Sequence, residues 1–157
     1  MNAATRQSGF HNFVNSFVFI IGVAAAVLVS SAIAFGGDFL DAKTGKKLPV
    51  GGGEPGKAYM AFVNAVKNDD IAAVRKLHTG TEKETDSGMK EGIAFIKLTL
   101  PENLKVMEGY ATADLAALSV TGTFEKEKQY GTIEMVRKKD GGWQVGHESW
   151  SNTPPGK

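Results

Sequence analysis

The chain has 157 residues, 42% of them apolar and 22% charged, with 18 basic against 17 acidic side chains and no cysteine. Such a length fits one domain, or one domain behind a leader. The balanced charge excludes a nucleic-acid binder held by phosphate neutralisation. The missing thiols exclude disulfides, cysteine nucleophiles, iron–sulfur clusters and thiolate zinc sites. Three histidines, one of them in the leader, are too few for a histidine-rich metal site, and no cofactor or metal is expected.

Residues 1–12 contain Arg6 and no acid, and Phe17 to Val29 is an apolar run interrupted only by Gly22. Ser30-Ser31 and the small-x-small ending Ala32-Ile33-Ala34 follow, so residues 1–34 read as a secretory signal peptide. A helix over the apolar run covers about 20 Å, short of the roughly 30 Å hydrocarbon core. The alternative is a retained anchor over residues 13–35, long enough to span if Asn15 and the two serines are tolerated. The expected location is therefore periplasmic or secreted, with a membrane as partner only if the leader is retained. Removing the leader takes away Arg6 and leaves the domain neutral, with no pull toward nucleic acid or anionic lipid.

Residues 35–54 are rich in glycine and predict a flexible lead-in, with a short strand around Phe39-Leu40. Gly51-Gly52-Gly53 lacks the Gly-Lys-Ser/Thr ending of a phosphate loop and reads as linker. Pro55 suits a helix's first turn. Ala58, Tyr59, Phe62, Val63 and Val66 then form one apolar stripe. Asn68-Asp69-Asp70 reads as a turn and N-cap for a second helix carrying Ile71, Val74 and Leu77, closed by Gly80. Residues 81–88 are polar, and the acids Glu82, Glu84 and Asp86 alternate without the spacing of a calcium loop. Met89, Ile93, Ile96 and Leu100 mark a third helix that stops before Pro101.

From Pro101 the apolar period changes from 3.6 to 2. Leu104 and Val106 lie on one face of a first strand, and Gly109 marks a bend. Leu118, Val120, Gly122 and Phe124 share a face of the second strand, and Ile133 and Met135 a face of the third. Trp143, Val145 and His147 share a face of the fourth. Asp140-Gly141-Gly142 is a hairpin turn. Three helices before about four antiparallel strands define an α+β domain over residues 55–150, with the helices on one face of a curved sheet. Residues 151–157 read as a disordered polar tail.

The first-helix run from Pro55 to Val66, the Asn68-Asp69-Asp70 turn and Ile71-Ala72-Ala73-Val74 carry a resemblance. So does the terminal hairpin, Gly131 to Val136 followed by Asp140 to Val145. Together they resemble the nuclear-transport-factor-two-like superfamily (cone-shaped α+β, cystatin-like), and in particular its small secreted members of unknown function. The resemblance implies a cone whose mouth is a pocket between sheet and helices. It does not choose a function, because isomerases, dehydratases, cyclases and non-catalytic binding modules share the fold.

Strand parity places His147 with Trp143 and Val145, pointing at the helices, where a histidine serves as general base or ligand donor. A longer hairpin loop puts Met135 beside it, and a two-residue turn puts Glu134 there. The candidate pocket is lined by Tyr59, Phe62, Trp143 and His147. Trp150 lies at a pocket mouth or an interface, and His78 ends the second helix, where the dipole favours a cation. Hydrolase, β-lactamase and zinc-peptidase signatures are absent. The expected function is thus an exported, non-catalytic domain that binds a small apolar or amphipathic ligand, or a partner protein, in the cone. The competing reading is a small lyase or isomerase with His147 as base. A homodimer through the polar outer sheet face, with Ser119, Thr121, Thr123 and Gln144, is a further expectation.

Overall fold

The structure, a computed structural model, describes residues 45–154. The leader, the strand expected around Phe39-Leu40 and the last three residues lie outside that range. The elements in order are β1 (Lys46–Lys47), α1 (Gly53–Lys67), α2 (Ile71–Leu77), α3 (Asp86–Thr99), β2 (Glu102–Ala111), β3 (Leu115–Phe124), β4 (Glu127–Arg137) and β5 (Trp143–Ser151). The strands form one antiparallel five-stranded sheet in sequential order. Helices first, then a meander with the helices on one face, is the α+β arrangement that the change of period and the resemblance implied.

The lead-in is more structured near its end than its composition suggests. Lys46 and Lys47 pair with Ala111 and Tyr110, adding β1 to the sheet edge. Gly51, Gly52 and Gly53 then take φ of 82°, 78° and 57° in succession, which only glycine adopts without strain. This left-handed turn feeds α1 two residues before Pro55, and Gly56 N–H donates to Gly52 O to close the first helical bond. Gly56 must itself lack a side chain, because a Cβ there would collide with the carbonyl oxygen of Gly51.

Asp69 sits in the left-handed region with φ 56° and pairs with Lys97 of α3 at 2.8 Å. Asp70 caps α2, its Oδ1 accepting from Ala73 N–H at 2.9 Å. Thr85 caps α3 by accepting from Gly88 N–H, and Asp86 pairs with Arg75 at 2.9 Å. Thr81 in the polar loop is buried, its hydroxyl donating to the carbonyls of Arg75 and His78.

The apolar stripe of α1 (Tyr59, Phe62, Val63, Val66) meets Val74 of α2 and Met89, Ile93 and Ile96 of α3 in one core. From the sheet come Val106, Ala116, Leu118, Val120, Ile133, Met135, Trp143 and Val145. Every second residue of β3 from Ala116 to Gly122 is buried, as alternation required. Gly109 is not a bend but a paired strand position opposite Leu118, where a Cβ would lie 2.7 Å from Leu118 Cδ2. A register shift at Val106/Glu108 restores its inward parity.

Candidate functional site

Two elements build the candidate site, the middle of α1 and the second half of β5. On α1, Tyr59 and Phe62 lie one turn apart on the buried face, and neither has exposed surface. Phe62 packs against the His78 ring with centroids 5.6 Å apart. His78 is the buried C-cap of α2 and forms a parallel bridge with Val145 of β5, while Thr79 N–H donates to Val145 O. Burial lowers the His78 pKa, only partly offset by the Thr79 carbonyl, so the cation expected at this helix end is disfavoured.

The hairpin between β4 and β5 pairs Arg137 with Trp143, Val136 with Gln144 and Met135 with Val145. The register then shifts, and Glu134 pairs with His147, leaving Gly146 as an extra residue on β5. A bulge of this kind reverses side-chain parity downstream. The expected position of His147 is therefore corrected. It lies exposed on the outer face beside Glu134, neither inward nor beside Met135. Glu148 takes the inward position opposite Ile133, and Trp150 the next one opposite Gly131.

Glu148 as a residue is half-buried, but its Oε1 is sealed from solvent. Burial pushes its carboxyl up to about 7, with the Tyr59 hydroxyl pulling weakly in the other direction. Tyr59 is driven well above its ordinary value, first by burial and then by the charge of Glu148. The two groups face each other closely enough to interact. Yet neither Tyr59 Oη nor Glu148 Oε1 completes a hydrogen bond of good geometry, and Trp150 Nε1 is likewise buried without a partner. Unsatisfied buried polar atoms cost about 1–3 kcal/mol each, so such a group calls for an explanation.

Trp150 rests on Gly131. A Cβ on Gly131 would lie 2.7–2.8 Å from three carbons of the benzo ring, so the indole occupies the space a side chain would fill. Gly131→Ala is expected to force the ring off its seat and cost about 1–3 kcal/mol, read as a lower urea midpoint with a shifted Trp emission. An unchanged midpoint and emission would refute this packing.

Of the four residues expected to line a pocket, Tyr59 and Phe62 are sealed in the core, and only Tyr59 reaches the polar group. Trp143 is buried at the start of β5 under the Arg137 guanidinium, 5.5 Å from its ring. His147 is outside. Glu148 was missed because uninterrupted alternation puts it on the solvent face. The signal that marks it is Gly146, a lone glycine within a strand pattern. Among the described residues no group of three His, Asp or Glu is placed to hold a metal ion.

No family model and no curated protein matches the chain. Among solved structures it is similar to a ketosteroid isomerase-like protein from Erwinia carotovora atroseptica, at 17% identity and a TM-score of 0.45, covering 65% of this chain and 95% of that one. It is also similar to an NTF-2-like protein of unknown function from Silicibacter pomeroyi, at 14% identity and a TM-score of 0.44, covering 60% and 89%. A de novo designed protein with a curved β-sheet is similar at 17% identity and a TM-score of 0.41, covering 60% and 95%. These likenesses carry neither substrate nor activity to this chain.

Proposed function

We propose that the domain is an exported binding module that takes the polar end of a small amphipathic molecule between α1 and the end of β5. One observation carries the reading: the Tyr59 hydroxyl lies within interaction range of the Glu148 carboxyl, and neither Tyr59 Oη nor Glu148 Oε1, both sealed, completes a hydrogen bond. A ligand group placed there gains bonds that the empty protein does not make, in a low-dielectric setting where such bonds are strong. Leu118, Val120 and Ile133, buried on the same sheet face, make the surroundings of that pair apolar, which suits an apolar remainder of the ligand. Trp150, half-buried near the chain's end, is the side chain that yields to admit it. The export part of this reading rests on the leader-like pattern of residues 1–34, and its alternative, retention of residues 13–35 as an anchor, would put the same module at a membrane surface.

The test is titration of the full chain with the neutral fluorophore N-phenyl-1-naphthylamine. Saturable one-to-one binding is expected, with energy transfer from tryptophan that drops in Trp150→Phe. Non-saturable emission, or transfer unaffected by Trp150→Phe, would contradict the reading.

A second reading is a small lyase or isomerase, favoured by the same pair. A carboxyl titrating near neutrality beside a tyrosine hydroxyl suits general acid–base work. In that case Glu148, rather than His147, carries the proton. The two readings separate on Glu148→Gln, which abolishes turnover in an enzyme but leaves a binding module able to bind.

A further inference from the structure

Resting on the binding reading, we infer that Tyr59, Glu148 and Trp150 form a site for the ammonium end of a small amphipathic amine. Among the described residues, burial and Tyr59 are what bear on the Glu148 carboxyl, and no lysine or arginine contributes. The five ion pairs of the described residues all lie elsewhere: Lys47–Glu108, Lys57–Glu54, Arg75–Asp86, Lys97–Asp69 and Lys138–Asp140. A carboxyl held inside without a cation is a cost to the fold unless something supplies the cation.

The neighbouring groups fit an ammonium better than an anion. Tyr59 Oη can accept a hydrogen bond as well as donate one, so carboxylate and hydroxyl together offer acceptors to an N–H₃⁺ group. Glu148 and Trp150 point to the same face two residues apart, which puts an indole next to the carboxyl. The Tyr59 hydroxyl meets the carboxyl from the side of α1, and a neighbouring indole favours a desolvated cation. A ligand carboxylate would meet Glu148 as a like charge whenever that group is ionised. A neutral alcohol would use the hydrogen bonds but leave the carboxyl without a counter-charge. The inward side chains around the carboxyl, Leu118, Val120 and Ile133, are apolar and packed in the core, so a second charged end finds no partner among them.

Binding of an ammonium also has a proton signature. The pair forms between carboxylate and ammonium, so Glu148 gives up its proton to solvent on binding at pH 6 and has none to give at pH 8.

The experiment is calorimetric titration of the full chain with hexylamine, hexan-1-ol and hexanoate at pH 6 and pH 8, each in two buffers of different ionisation heat. Hexylamine is expected to bind about tenfold or more tightly than hexan-1-ol, and hexanoate most weakly. Hexylamine binding at pH 6 is expected to release most of a proton. Glu148→Gln is expected to erase the preference for hexylamine and its proton release while leaving hexan-1-ol binding in place. Tyr59→Phe is expected to weaken hexylamine less than Glu148→Gln does. Equal binding of hexylamine and hexan-1-ol, tighter binding of hexanoate, or a preference that survives Glu148→Gln overturns the amine assignment and leaves the binding reading standing. If none of the three binds, the sealed atoms serve only ordered water, and both the assignment and the binding reading fall.

Discussion

Glu148→Gln is expected to stabilise the protein by about 3 kcal/mol at pH 8 and to change little at pH 5. The folded carboxyl titrates at about 7 against an ordinary value of 4.5. A carboxyl with a raised folded value holds its proton more tightly in the native state than in the unfolded chain. Its contribution is therefore intact below pH 4.5 and is lost as the pH rises to about 7, after which the deficit is constant. Glutamine keeps the shape and never ionises, so it escapes that loss. His78 acts with the opposite sign. Its native value lies below 6.5, so its contribution is present above that pH and is lost as the pH falls. Comparing the variant with the parent at each pH cancels the His78 effect. Urea denaturation at pH 5, 6, 7 and 8 is the measurement, and parallel curves for the two proteins would refute a buried Glu148.

Phe62→Ala is expected to cost about 3–5 kcal/mol, a large part of the total stability of a domain this size. Phe62 has no exposed surface and touches the ring of His78, which is itself buried. Truncation leaves a void bounded by a histidine kept neutral by burial. Water entering that void lets the imidazole charge in the folded state, so the variant is expected to lose stability less steeply below pH 6.5 than the parent does. The urea midpoint, followed by circular dichroism, reads both effects. A loss under 1 kcal/mol would mean that the α1 stripe does not hold the core together.

The helical and alternating patterns were legible because each follows from one rule of geometry. The stripe of Tyr59, Phe62, Val63 and Val66 lies on the buried face of α1, and the alternation of Leu118, Val120, Ile133 and Met135 lies on the buried face of the sheet. Asp70 caps α2 for the reason that an aspartate before an apolar stripe suggests. What alternation does not carry is a change of phase. One extra residue, Gly146, moved His147 from the inside to the outside and Glu148 the other way. The same happened at Met107, where a second irregularity in β2 made Gly109 a paired, inward position. Both slips sit beside glycines, Gly109 and Gly146, which alternation alone treats as a bend or as an ordinary strand position. The glycine run at Gly51–Gly53 was read by composition as linker, whereas its three left-handed residues form a fixed turn into α1. Composition reports that glycine is present but not which backbone angle needs it. The pocket residues suffered from a different gap. Tyr59 was found from its place on the stripe, but its polar partner lay on a strand whose phase was wrong.

The proposed site requires Glu148 to lie inside, within reach of Tyr59. Titration of the Glu148 side-chain carboxyl by carbon-13 nuclear magnetic resonance measures this directly, with Glu148→Gln to assign the signal. A midpoint near 7, rising further in Tyr59→Phe, which removes the hydroxyl that pulls it down, is the predicted result. A midpoint near 4.5, the value of a solvated glutamate, would contradict it.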